Sequence, residues 1–260
     1  TIYNSDNIRK NELLNTVKAI KNNIDAIVIS PINSSSCVTV LNFAKKANIP
    51  VVISDIGTDS GEYLSFISSN NKNGAYKLGK VLAKEMLKQN IEDKKVGIVA
   101  IPQKRKNGKE RTAGFLKALN EYGIKTSGIT QQVNFSKKET YDLTTKLINK
   151  SDDLQALWLQ GSDKYMGALE ALKDKNKENV LLVTFDAEPI FLDLIPKGKI
   201  IASAMQQPFL MGEKSVSVLN DYFLNKEVKK EIQMEVLAVS KDNIDKLLPT
   251  IKRNVLGINE

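Results

Sequence analysis

The residues best suited to do chemistry in this chain are polar groups placed just after runs of Val, Ile and Leu. Asp55 follows Val51-Val52-Ile53-Ser54, Asp186 follows Leu181 to Phe185, and Gln206 follows Ile200 to Met205. Gln103 comes after Val96 to Ile101, Phe135 after Gln131 to Val133, and Gln160 to Asp163 after Ala156 to Leu159. Arg111 is read into the first turn of the helix that succeeds Ile101. Carboxylates accept from hydroxyl donors, guanidinium and amide groups donate to oxygens, and an aromatic ring covers apolar C–H surface. Together these groups suit a small polyhydroxylated molecule. Each also has a plainer reading: Asp55 and Asp186 as caps of loops or helices, Arg111 as a solvated helix residue, Phe135 and Trp158 as core. As a set at successive run ends they favour a binding site.

Most catalytic chemistry lacks its residues here. The chain has no His, which removes the commonest general base and the commonest transition-metal ligand. Its single Cys, Cys37, can build neither a zinc site nor an internal disulfide. No G-x-S-x-G elbow, phosphate-binding G-x-x-x-x-G-K-[ST] loop or G-x-G-x-x-G turn occurs. A hydrolase built on the pair Asp55 and Asp186 is the one enzymatic alternative. The expectation is a binding protein without catalytic residues, metal or cofactor.

The elements that must position these groups follow from periodicity. Short β-rich apolar runs alternate with amphipathic helical patterns along nearly the whole chain. The strand candidates are Asp25 to Ser30, Pro50 to Ser54, Lys95 to Ile101, Leu154 to Leu159, Asn179 to Phe185 and Lys199 to Met205. They lack strict alternation, as strands buried on both faces do. Between them, stripes such as Ala75, Leu78, Leu82, Ala83 and Met86 recur at three- and four-residue steps. Strand then helix, repeated, specifies α/β architecture with parallel sheets covered on both faces. In such sheets ligands bind beyond the carboxyl ends of the strands, where the polar groups above fall. One segment breaks the rhythm: after the turn-rich stretch from Gly57 to Gly61, a second strand, Tyr63 to Ser68, follows without a helix. This predicts that the chain leaves one sheet for another there. Ile232, Met234 and Val236 alternate with polar residues, as in an edge strand or a connection.

The net charge of +8 raises the question of nucleic acid. Only Arg9, Arg105, Arg111 and Arg253 are Arg, and the Lys residues are scattered over the helices, so a solvated basic surface is the reading and no nucleic acid is favoured as a partner. The denser run from Lys104 to Lys109 reads as a loop. Cys37 follows three Ser residues and is expected at a helix start, as a structural thiol.

Several stretches resemble the periplasmic sugar-binding proteins of the ribose/galactose/xylose type, which have the type I fold. They are Ile24 to Pro31, Ala47 to Val52 with Asp55, Ser69-Asn70-Asn71 with Gly74 and Gly79, Glu110 to Phe115, Phe185-Asp186, Gly198 to Ile200, Gln206-Gln207-Pro208 and Met211-Gly212. They occur in the family's order over essentially the whole chain. The resemblance implies two doubly wound parallel-sheet lobes joined by a hinge crossed three times, near Ser69, Gln207 and Val236. Residues 1–69 with 208–236 would form one lobe, and 70–207 with 237–260 the other. It also implies that Asp55, Arg111, Phe135, Asp186 and Gln206 contact a sugar, and that binding shifts open and closed populations.

Three departures modify that picture. Ile56 stands where the family often has Arg, and Gly161-Ser162 where it often has Asn-Asp. The strand and helix with which members begin are not found ahead of Thr1 to Asn4, so the first strand is expected to be missing. The function the resemblance implies is an extracytoplasmic receptor, in the periplasm or anchored at the cell surface. It would bind a pentose such as D-xylose or ribose and serve a membrane permease of an ABC importer or a sensor histidine kinase. The alternatives are the effector-binding core of a LacI-type regulator and a receptor for the furanosyl signal autoinducer-2.

Overall fold

A computed structural model describes residues 1–92 and 95–258; the expected segment 237–260 therefore ends in two residues outside the described ones. The chain divides into two compact units, Thr1–Ser69 with Pro208–Met234 and Asn70–Gln207 with Glu235–Glu260. Glu235 and Val236, expected with the first lobe, fall in the second unit, where Val236 packs directly against Gly74.

Unit 1 contains α1 (Arg9–Lys21), β1 (Ile27–Ile29), α2 (Ser34–Lys46), β2 (Val51–Ser54) and β3 (Ser65–Ser69). Later in the chain it adds a long helix, Pro208–Phe223, and a strand, Glu231–Met234, which become α8 and β9 in chain order. The sheet order is β1-β2-β3-β9, parallel throughout. The run Val51-Val52-Ile53 is apolar without alternation because both faces are covered. Val51 and Ile53 pack with Cys37, Leu41 and Ala44 of α2, whereas Val52 and Ile67 pack with Met211 and Val218 of α8. Burying a side chain of this size contributes about 1.5–3 kcal/mol.

The expected change of sheet after β2 does not occur. β3 pairs parallel with β2, Val52 opposite Ser65, after a connection that contains no helix. A loop without helical periodicity can still carry the chain back to start a parallel neighbour, and Gly61, at φ 106° and with its Cα close under Leu41, makes that turn. Beside the outer edge of β1 lies a cavity of about 520 Å³, lined by Thr1 to Tyr3, by Ala26 to Ser30, and by residues of α1 and α8.

Unit 2 contains α3 (Asn71–Lys88), β4 (Lys95–Ala100), α4 (Lys106–Glu121), β5 (Lys125–Gln131), α5 (Lys137–Lys150) and β6 (Ala156–Leu159). It continues with α6 (Tyr165–Asp174), β7 (Leu181–Phe185), the short α7 (Phe191–Leu194) and β8 (Ala202–Met205). After α8 and β9 the chain returns with β10 (Leu237–Ser240), α9 (Ile244–Thr250) and a π-helical turn, Ile251–Leu256. The sheet order is β10-β8-β7-β6-β4-β5, with β10 the one antiparallel strand, an edge addition common on parallel sheets. Again one strand serves two cores. Val96, Ile98 and Ala100 meet Leu78, Leu82, Phe115 and Leu119, while Val99, Leu157 and Leu159 meet Leu147, Ile148 and Leu172.

Trp158 is fully buried and stacks on Phe115, ring centroids 3.9 Å apart, so it is core as its place inside a strand suggested. α3 and α4 pack at a glycine: a Cβ on Gly114 would stand 1.9 Å from the carbonyl oxygen of Lys72. Gly114 thus trades helix propensity for close approach of the helix to which Arg111 belongs. The Lys104–Lys109 run is not a loop throughout, because α4 begins at Lys106; Arg111 therefore sits in the second turn of its helix, not the first.

Candidate functional site

At the carboxyl ends of β6, β7 and β8, unit 2 assembles a polar cluster from three of the residues singled out in the sequence. Arg111, only 3% exposed, reaches from α4 to Asp186, with Nη1 3.3 Å from Oδ2. Gln206 Nε2 donates to the other carboxylate oxygen, Oδ1, at 2.5 Å. The carboxylate is thus gripped from both sides yet stays 33% exposed.

Local backbone sets the direction of each group. Asp186 lies in the left-handed region, φ 70°, where Asp is tolerated better than most residues. Its N–H donates to the carbonyl of Ala204 at 2.8 Å, and its own carbonyl accepts from the Ser203 hydroxyl. Bonds on both sides hold the chain in a conformation that turns the carboxylate off the end of β7. Asp55 shows the same device in unit 1: φ 66° directly after β2, with its N–H donating to Ile67 at 2.9 Å.

Arg111 is fixed more completely still. Nε donates to Asn71 Oδ1 at 2.9 Å, Nη1 to the Gln160 carbonyl at 2.6 Å, and the guanidinium lies 3.8 Å from the centre of the Phe185 ring. Buried cations need such compensation, here supplied by a carboxylate, two further acceptors and a π face. These bonds engage Nε and Nη1 of the guanidinium. Gln206 Oε1 is a buried acceptor with no partner among the described residues. A buried acceptor without a partner beside a one-third-exposed carboxylate offers oxygens of the kind that accept from hydroxyl donors.

Behind the cluster stands a closed ring of polar side chains. Gln160, fully buried, donates from Nε2 to Thr112 Oγ1 at 2.6 Å. Thr112 donates to Gln103 Oε1 at 2.8 Å, and Gln103 Nε2 donates to Gln160 Oε1 at 3.2 Å. Gln103 also takes its N–H to Gln131. Gln103 and Gln160 are therefore committed to each other and to backbone, and they hold α4 against the ends of β4 and β6. Ser162 donates to Glu188 at 2.9 Å, which brings a second carboxylate near the end of β6 that sequence reading passed over.

Phe135 is placed differently. It follows β5, three strands from β7 in the sheet and so about 14 Å away at the usual spacing. Its ring lies 5.3 Å from the Arg105 guanidinium, and its φ is 53°. The N–H groups of Val133, Asn134 and Phe135 all donate to the carboxylate of Glu139. Glu139 was missed in the sequence, although Ser136-x-x-Glu139 is a visible helix-start pattern. Asn71 was seen only within a matching stretch, because nothing local reveals that a helix-start Asn faces an Arg forty residues later. Cys37 is buried in α2, and burial pushes its thiol up to about 11, with Thr58 opposing and Glu12 and Asp59 adding to the rise. Among the described residues no cluster of three metal-ligating side chains occurs, and no helix is long and apolar enough to cross a membrane.

Comparison with known proteins agrees with this architecture. Residues 3–227 match the family described as the periplasmic binding protein domain. The chain belongs to that family, and its fold is that of the type I members. It is 26% identical over 240 residues to the ribose import binding protein RbsB of Haemophilus influenzae, covering 92% of this chain and 80% of that protein. To its Escherichia coli counterpart it is 27% identical over 244 residues, covering 92% and 79%. Among solved structures, a galactofuranose binding protein superposes with a TM-score of 0.85 at 19% identity, covering 98% of this chain and 88% of that one. The arabinose-transporter binding protein of Shewanella sp. ANA-3, bound to L-arabinofuranose, superposes at 0.81 with 20% identity, covering 95% and 83%.

Proposed function

We propose that this chain is an extracytoplasmic receptor for a small sugar, held by Arg111, Asp186 and Gln206 of unit 2, with Phe135 covering an apolar face of the sugar. The observation that carries this is the cluster at the ends of β7 and β8. There a buried Arg and a one-third-exposed carboxylate are braced from behind, so hydroxyls would meet donors and acceptors already in place. Bracing reduces the ordering cost of binding.

Pentoses are the favoured class, in keeping with relatives named for ribose import and a structural neighbour bound to L-arabinofuranose. Those names also favour a permease of an ABC importer as the partner that takes the sugar. The test is a thermal-shift screen against D-ribose, D-xylose, L-arabinose, D-allose and D-galactose. A dose-dependent rise in Tm with one or two pentoses is expected, since a ligand that binds only the folded state stabilises it by mass action. A cooperatively melting protein whose Tm moves with none of them would refute the proposal.

A further inference from the structure

The segment ahead of α5 contains an arrangement that ordinary helix capping does not explain. In a capping box the Ser at the N-cap bonds the N–H three residues on, and the Glu at that position reaches back to the N–H of the N-cap itself. Ser136 does the first, accepting from the Glu139 N–H at 3.1 Å. Glu139 instead bypasses Ser136 and takes three consecutive N–H groups outside the helix: Val133 at 2.7 Å, Asn134 at 2.9 Å and Phe135 at 2.7 Å. Three consecutive N–H groups on one carboxylate form a small anion nest, filled here by the protein's own side chain.

The conformation that this nest holds is unusual at one residue. Among the described non-glycine residues with positive φ, Phe135 is the only one that is neither Asp nor Asn. Asp and Asn relieve a left-handed conformation with their short polar side chains, whereas a Phe has no such means. Something outside the residue must hold it, and the Glu139 bond to its N–H is the contact in place to do so.

We infer that Glu139 is a positioning residue for ligand recognition: by binding the 133–135 backbone it keeps Phe135 left-handed and so sets where its ring is presented. The inference rests on the proposed reading of Phe135 as a ligand-facing ring, and it adds that affinity depends on a carboxylate that itself touches no ligand.

The test is a double-mutant cycle on the intact chain, using Glu139→Ala, Phe135→Ala and the pair, with Glu139→Gln as the conservative variant. Two measurements are made: amide hydrogen exchange without ligand, and calorimetric titration with D-ribose. Exchange at Val133, Asn134 and Phe135 should speed by at least about tenfold in Glu139→Ala, with amides in the last turn of α5 unchanged, because charge-assisted bonds are lost at those three sites only. Unchanged exchange there would overturn the inference whatever sugar binds. In the titration, Glu139→Ala and Phe135→Ala should each weaken binding, Glu139→Gln less so, and the pair should bind no worse than Phe135→Ala alone. If the pair loses the full Glu139 factor again, Glu139 acts apart from the ring and the inference fails. If Phe135→Ala binds as wild type does while the exchange result holds, Glu139 orders the loop but Phe135 is no platform, and the proposed role of the ring is what falls.

Discussion

Replacing Asp186 with Asn isolates the charge at the centre of the cluster. Asn has nearly the same volume and tolerates the left-handed backbone at this position, so no conformational cost is added. Two donors point at the carboxylate, Gln206 Nε2 at 2.5 Å and Arg111 Nη1 at 3.3 Å. An Asn amide offers one acceptor oxygen, so one of these donors must face an NH2 group. The gross attraction of a charge pair at 3.3 Å is about 5 kcal/mol at an effective dielectric constant of about 20. The carboxylate is 33% exposed, and Arg111 keeps its bonds to Asn71 and Gln160, so the net loss of stability should be nearer about 2 kcal/mol.

Binding should suffer separately. A ligand hydroxyl that donates to an ionised acceptor loses about 1–1.5 kcal/mol when the acceptor becomes a neutral amide, a weakening of about five- to tenfold. Urea unfolding of the ligand-free variant measures the first effect, and calorimetry with the sugar found in the thermal-shift screen measures the second. A cooperatively folded variant with wild-type affinity would remove Asp186 from the site. Wild-type stability with reduced affinity would refute the ion-pair estimate while leaving the site in place.

Three further outcomes are expected. Gly114→Ala should lower unfolding free energy by about 3 kcal/mol, read from the urea midpoint, because the new Cβ collides with the Lys72 carbonyl; a loss below about 0.5 kcal/mol would show that α3 and α4 separate easily. Cys37 should react slowly with a disulfide reagent at pH 8 in the native protein and quickly in denaturant. Its buried thiol, raised to about 11, stays protonated well above that pH, so rapid native labelling would contradict the burial. Asp55→Ala should weaken sugar binding by about 1.5–3 kcal/mol if its carboxylate accepts a ligand hydroxyl, and calorimetry that shows no change would exclude it.

Much of this protein could be read along the chain. Runs such as Val51-Val52-Ile53 and Leu181-Leu182-Val183 report strands buried on both faces, because each face of a covered parallel sheet needs its own apolar neighbours. Asp55 and Asp186 stood out because strand ends are where such sheets present polar groups. Of the polar β5, Lys125–Gln131, only the end at Gln131 was legible, and the antiparallel β10 escaped notice, since an edge strand needs little apolar pattern to pair. The connection from β2 to β3 misled, because absence of a helix says nothing about which sheet the next strand joins.

What the chain alone determined was the residue types and their order: two Asp, an Arg and a Gln after successive strands, with no His and one Cys. Only the tertiary structure decided which of them meet. Arg111 finds Asp186 seventy-five residues later, and Gln160, Thr112 and Gln103 close into one ring. Such pairings depend on strand order and on helices approaching at glycines such as Gly114, and neither is written in local periodicity. The left-handed turns at Asp186 and Phe135 follow the same rule, because their stabilising bonds come from the neighbouring strand and from the next helix rather than from the residues themselves.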